Sequence, residues 1–157
     1  MLAEAARVLR PGGLFLSGEW ERVPSFANPV SGDADPIPET RRLLNLVDTS
    51  LARHGAFPLA TCIPGWLAES GQFQDITAQF HVVPIGDWHP DPVMKELGND
   101  FRSVWVRYAD SLKPMLGEPG LGMNEAQIDD LMEGYLQDMH NTSGMVGVYH
   151  TVHAKKI

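Results

Sequence analysis

Two apolar segments of the chain end in a tryptophan. The first, residues 14–20, ends in Glu19 and Trp20, and the second, residues 73–88, ends in Trp88. Both segments are typical of strands because turn residues bound them and they are rich in β-forming side chains. The ends of parallel strands meet at one edge of a sheet, where open α/β folds bind ligands. The sequence therefore predicts a substrate pocket at this edge, the alternative being aromatic capping of a sheet end.

A long stretch, residues 91–141, has helical apolar spacing and precedes the last segment of the chain. We expect it to cover the same sheet edge and to carry Trp105, Tyr108 and His140 over it. His89 and His140 are candidate acid–base groups since imidazole titrates near neutral pH, the alternative being solvated surface histidines. The full set of pocket candidates is Glu19, Trp20, Trp88, His89, Trp105, Tyr108 and His140.

The six histidines do not have the spacing of a metal site. His150 and His153 are three residues apart on a predicted strand, so their side chains point to opposite faces. We therefore predict no metal ion.

Cys62 is the single cysteine, which excludes an intramolecular disulfide and favours a reducing compartment, either cytoplasmic or nuclear.

Length and charge limit the classes of function. A chain of 157 residues is expected to form a single domain, residues 1–157. The formal net charge of −8 disfavours binding to nucleic acid or to an anionic membrane. The sequence contains no apolar run of the roughly 18–20 residues that a membrane span needs. We therefore predict that neither nucleic acid nor a membrane is a partner of this chain.

The pattern predicts the order helix, strand, helix, helix, strand, helix, helix, strand. A proline-rich stretch, residues 21–38, has no periodicity and is predicted to be a surface loop. Asp91 before Pro92, and Asn124 three residues before Gln127, mark the starts of the two inserted helices. The remaining predicted bounds are a first helix ending before Gly12, a helix ending at Gly55, a short helix over 61–70 and a last strand over 144–155.

The segment Leu2-Ala-Glu-Ala-Ala-Arg-Val-Leu-Arg-Pro-Gly-Gly13, followed by a strand with Glu19, resembles a helix, turn and fifth strand of class I S-adenosylmethionine-dependent methyltransferases. Residues 84–88 (Pro-Ile-Gly-Asp-Trp), 95–98 (Lys-Glu-Leu-Gly) and 138–141 (Asp-Met-His-Asn) are similar to the C-terminal part of fungal LaeA-like methyltransferases. The resemblance covers nearly the whole chain. It implies a partial Rossmann-like α/β fold, with a three-stranded mixed sheet, flanking helices and a two-helix insertion before the last strand.

The resemblance implies methyl transfer from S-adenosylmethionine to an acceptor that the sequence does not identify. The family's glycine-rich cofactor turn has no counterpart here, because residues 117–122 follow a helix rather than a strand. We therefore expect a truncated methyltransferase, inactive alone, whose Met1 is either an internal start or the result of a gene-model truncation. The alternative is a non-catalytic interaction or small-molecule-binding module derived from such an enzyme.

The resemblance also leaves the strand at residues 14–19 on the edge of the sheet, with its outer backbone groups unpaired. An apolar edge strand is a template for association. We expect either a homodimer through this strand or a partner that supplies the missing half of the fold.

Overall fold

The computed structural model describes residues 2–28, 32 and 34–157, which form an α/β structure with five helices and four strands. The elements are α1 (Leu2–Val8), β1 (Leu14–Trp20), β2 (Ser25–Phe26), α2 (Pro38–Ala52), α3 (Ile63–Ser70), β3 (Phe73–Pro84), α4 (Pro92–Leu116), α5 (Glu125–Asn141) and β4 (Met145–Lys156).

The predicted order of elements is confirmed, with β2 added. Local signals explain the helix ends. Asp91 caps α4, since its side chain accepts hydrogen bonds from two N–H groups of the first turn, and Asn124 and Gln127 form a reciprocal capping box on α5. Gly71 ends α3 in the left-handed conformation, with φ of 61°.

The sheet differs from the predicted one in two respects. It has four strands rather than three, and its strands are antiparallel, so a mixed sheet is not supported. β4 is the central strand and pairs with β1, β2 and β3. The added strand β2 lies inside the predicted loop 21–38, of which residues 29–31 and 33 lie outside the described part of the chain.

The described residues divide into two compact units. The first lies within residues 1–21, 58–82 and 148–157, and the second within residues 22–57 and 83–147. The prediction that residues 1–157 form a single domain stays a prediction.

In the first unit, α1 and α3 cover one face of the β1–β4 pair. The buried side chains there are Ala6, Ile63, Leu67, Phe73, Val152 and Ala154. The opposite face of β1 is exposed, because Leu14 and Leu16 keep 60% and 70% of their surface accessible. Apolar side chains on this face of β1 are therefore left in water.

In the second unit, α2, α4 and α5 pack together around an apolar core. Its fully buried members include Leu43, Leu116, Leu131, Tyr135 and Met145. Met145 begins β4, so the core reaches the end of the sheet. None of the described helices combines the length and hydrophobicity needed to cross a bilayer.

Candidate functional site

The site is built where α4 lies against the chain that leaves β3. The Gly86 N–H donates a hydrogen bond of 2.8 Å to the Gly98 carbonyl, which joins this chain to the second turn of α4. A Cβ atom on Gly98 would lie 2.1 Å from the Gly86 oxygen. Only glycine permits this approach, because real Cβ contacts are never so short.

Arg102 lies one helical turn after Gly98, so α4 also brings it close to Gly86. Its side chain is half-buried, and its Nη2 donates a hydrogen bond of 2.8 Å to the Asn99 Oδ1. A Cβ atom on Gly86 would lie 3.3 Å from the Arg102 Nη1, so the guanidinium rests beside the Gly86 backbone. Among the described residues, no carboxylate forms an ion pair with Arg102.

Trp88 follows Gly86 and is fixed by a hydrogen bond. Its indole N–H donates to the Met145 carbonyl at 2.9 Å, and the same carbonyl accepts the Ile85 N–H at 2.9 Å. The His89 ring lies 5.5 Å from the Trp88 ring, and its Nδ1 accepts the Asp91 N–H. The indole is therefore held as a rigid wall.

Two adjoining cavities lie beside Trp88. The smaller has a volume of about 70 Å³ and is lined by Ile85, Gly86, Asp87, Trp88, Arg102, His140, Asn141, Thr142 and Ser143. The larger has a volume of about 360 Å³ and is lined by Phe26, Asn28, Pro36, Trp88, Thr142, Ser143 and Gly144. Because the two share Trp88, Thr142 and Ser143, we treat them as one site and call it the strand-end cleft.

The structure brings some of the pocket candidates together. Trp88 and His140 both line the smaller cavity, Trp88 from the chain after β3 and His140 from the last turn of α5. His89 contacts Trp88 but lines neither cavity.

Trp105 and Tyr108 line neither cavity. Trp105 is 7% exposed and belongs to the core of the second unit, because it shares one face of α4 with Ala109 and Leu112. Its carbonyl accepts the Tyr135 hydroxyl at 2.9 Å. Tyr108 contacts the Trp105 ring, with centroids 6.2 Å apart, and is 38% exposed.

Glu19 and Trp20 belong to the first unit, at the end of β1. Glu19 is opposite His150 in the β1–β4 register, and the Trp20 ring lies 4.9 Å from the Tyr149 ring. Glu19 is therefore paired with β4 through the strand register, and Trp20 through a ring contact.

Arg102 was not predicted as a site residue. The sequence signal that could have identified it is a glycine inside a strongly helical pattern, four residues before an arginine, since such a glycine marks a close backbone approach.

Asp87 also lines the smaller cavity, and its side chain is exposed. Across the described residues, no three His, Cys, Asp or Glu side chains converge as metal ligands.

Comparison with models of known protein families and with curated proteins gave no match to this chain.

Proposed function

We propose that this chain forms the acceptor-binding side of a class I S-adenosylmethionine-dependent methyltransferase, with the acceptor held in the strand-end cleft. The observation that supports this is the position of the cleft. It lies where β3 ends and β4 begins, and helices α4 and α5 each contribute one of its ionisable side chains, Arg102 and His140. Ligands of open α/β folds bind outside the carboxyl ends of strands, and the carboxyl end of β3 lies at the cleft. The proposal includes a reducing compartment, in keeping with the single cysteine.

The described residues do not fit the cofactor itself. The glycines at 117, 120 and 122 lie in the turn between α4 and α5, and no strand precedes them. A Cβ atom on Gly120 would lie 2.1 Å from the Met115 oxygen, so this glycine serves the packing of the turn. The proposal accordingly assigns acceptor binding, and no handling of the methyl donor, to this chain.

Two measurements test the proposal. Sequencing the complete transcript should reveal a glycine-rich strand–turn–helix in frame with this sequence, and a complete transcript without one contradicts it. Calorimetric titration of this chain alone with S-adenosylhomocysteine should show no binding in the micromolar range. Micromolar binding would mean that the donor site lies within these residues and would refute the assignment.

A second candidate function, an interaction module, is favoured by the open edge of β1. At the two ends of the β1–β4 ladder, the Lys156 N–H donates to the Gly13 carbonyl and the Glu21 N–H donates to the Val148 carbonyl, both at 2.8 Å. Backbone groups alternate in direction along a strand. The backbone N–H and C=O groups of the odd-numbered residues of β1 therefore point toward β4. Those of Leu16 and Gly18 point away from β4, toward the open edge of the sheet.

The open edge is complementary to a second copy of itself. In antiparallel pairing centred on Ser17, Leu16 lies opposite Gly18, and Phe15 lies opposite Glu19. The two Glu19 carboxylates are then apart, and no like charges face each other. We propose a homodimer through β1 as the form in which the chain would act as an interaction module, with a partner that adds its own strand as the other outcome.

Light scattering during size-exclusion chromatography tests the homodimer. The wild type should elute as a dimer and Leu16→Pro as a folded monomer, because proline removes an outward N–H that the β1–β4 ladder does not use. Val8→Thr is the control, because Val8 is exposed on α1 and lies outside β1, and it should leave the dimer intact. A monomeric wild type contradicts the homodimer and leaves the edge to a different partner.

A further inference from the structure

We propose that the strand-end cleft binds a small aromatic carboxylate, with its carboxylate on Arg102 in the smaller cavity and its ring against Trp88 in the larger one. This inference names the chemical class of the methyl acceptor in the proposed function. Only the ligand's role as acceptor rests on that function, because the binding of the ligand is argued from the residues of the cleft.

Arg102 supplies the charge that recognises the carboxylate. Its guanidinium is half-buried and bonded to the neutral Asn99 amide, and it has no ion pair with any described residue. A guanidinium has five N–H donors in a planar fork that matches a carboxylate in two parallel hydrogen bonds. The hydrogen bond from the Arg102 Nη2 to the Asn99 Oδ1 fixes the orientation of the guanidinium plane. Arg102 lines the smaller cavity, whose backbone wall at Gly86 has no side chain to fill the space beside the guanidinium.

The smaller cavity has room for a carboxylate group. Its volume of about 70 Å³ exceeds the roughly 10–15 Å³ that a single water molecule needs on the same measure. Ser143 lines the same cavity, and its hydroxyl can donate a further hydrogen bond to the anion, whereas the Thr142 hydroxyl donates to the Pro36 carbonyl at 3.2 Å.

The larger cavity selects a flat apolar body. Its volume of about 360 Å³ lies within the range of small-ligand sites, roughly 300–1,000 Å³. Phe26, Pro36 and Trp88 contribute apolar walls, and the Trp88 ring is fixed by its bond to the Met145 carbonyl. Aromatic rings stack favourably on such a wall.

Two other ionisable groups line the smaller cavity and face the bound carboxylate. Asp87 is exposed and carries a charge of the same sign as the ligand, so it weakens binding. His140 is exposed and can donate a ring N–H to the anion. Changing Asp87 and Arg102 should therefore move the affinity in opposite directions.

Calorimetric titration with naphthoate, and with its uncharged isostere naphthamide, tests the inference. Naphthoate should bind the wild type with a millimolar or smaller dissociation constant, as expected of a ligand of this size, and naphthamide should bind more weakly. Arg102→Gln should weaken naphthoate binding by roughly tenfold to a hundredfold, the range for loss of charged hydrogen bonds. Asp87→Asn should strengthen it by a few-fold.

The control is Arg107→Gln, on the same helix, whose arginine bonds the Ser103 carbonyl and does not line the cleft. This variant should bind naphthoate as the wild type does, and thermal melting checks that each variant is folded. If Arg102→Gln unfolds, Arg102→Lys replaces it and should weaken binding by losing the planar fork. Equal binding of naphthoate and naphthamide, or unchanged binding by the Arg102 variant, overturns the inference.

The outcomes separate this inference from the proposed function. Binding through Arg102 with a complete transcript that lacks the cofactor turn supports the carboxylate site and removes its role in methyl transfer. A transcript that contains the cofactor turn, with no naphthoate binding, supports the methyltransferase and overturns the aromatic carboxylate as its acceptor.

Discussion

Tyr135 shows how one hydroxyl is kept inside the core of the second unit. The residue is 1% exposed, and its hydroxyl donates a 2.9 Å hydrogen bond to the Trp105 carbonyl, which joins α5 to α4. Burial raises the pKa of this phenol well above its ordinary value, with smaller contributions from Tyr108 and Asp110. The hydroxyl therefore stays protonated, and remains a hydrogen-bond donor, well above neutral pH.

Tyr135→Phe removes this bond and should lower the free energy of unfolding by about 1 kcal/mol at pH 7. The advantage of the wild type should shrink above pH ~10, because the unfolded tyrosine then ionises while the buried one stays neutral. Urea denaturation of both proteins at neutral and alkaline pH measures the difference. An advantage that grows with pH would contradict this account of the buried phenol.

At the scale of elements, the joint between α4 and the chain after β3 positions the cleft. Gly98 lets the helix backbone approach Gly86, and the next turn of α4 carries Arg102. Gly98→Ala places a methyl group against a backbone oxygen that has no rotamer by which to move away. We expect a loss of stability of about 2 kcal/mol, or roughly 4–8 °C in Tm, together with weaker naphthoate binding.

Gly65→Ala is the matched control for this substitution. Gly65 lies in α3, with open space where its Cβ would stand, and its backbone needs no positive φ. Alanine there should stabilise the protein by about 0.5 kcal/mol, because the unfolded chain loses freedom. Differential scanning calorimetry of both variants checks the pair. A Gly98→Ala protein as stable as Gly65→Ala would show that the close approach does not constrain α4.

At the scale of the whole molecule, the sequence predicts the order of elements because local signals mark their ends. The cap at Asp91, the capping box at Asn124 and the left-handed Gly71 each act within a few residues of the chain. β2 was missed because it has two residues and is defined only by its pairing with β4. No local periodicity marks so short a strand.

The sequence pattern leads to the position of the strand-end cleft more directly than to the residues that line it. Trp88 and His140 follow from the sheet edge and the inserted helices, and both line the cleft. Trp105 was assigned to the pocket because the inserted helices were expected to cover the sheet edge, whereas the structure places it in the core of the second unit. Arg102 depends on the contact between Gly86 and Gly98, and the glycine four residues before it within the helical pattern is the local signal of that contact.

The central claim is that the strand-end cleft is the ligand site of this chain. A nitrogen–proton correlation spectrum of the whole chain, recorded with a mixed set of small carboxylates, amines and phosphates, tests it without presuming the ligand. The largest shifts should come from carboxylates and should fall on the amides of Gly86 and Ser143 and on the Trp88 indole N–H. Shifts confined to residues 14–20 and 148–156, with the cleft unchanged, would contradict the claim.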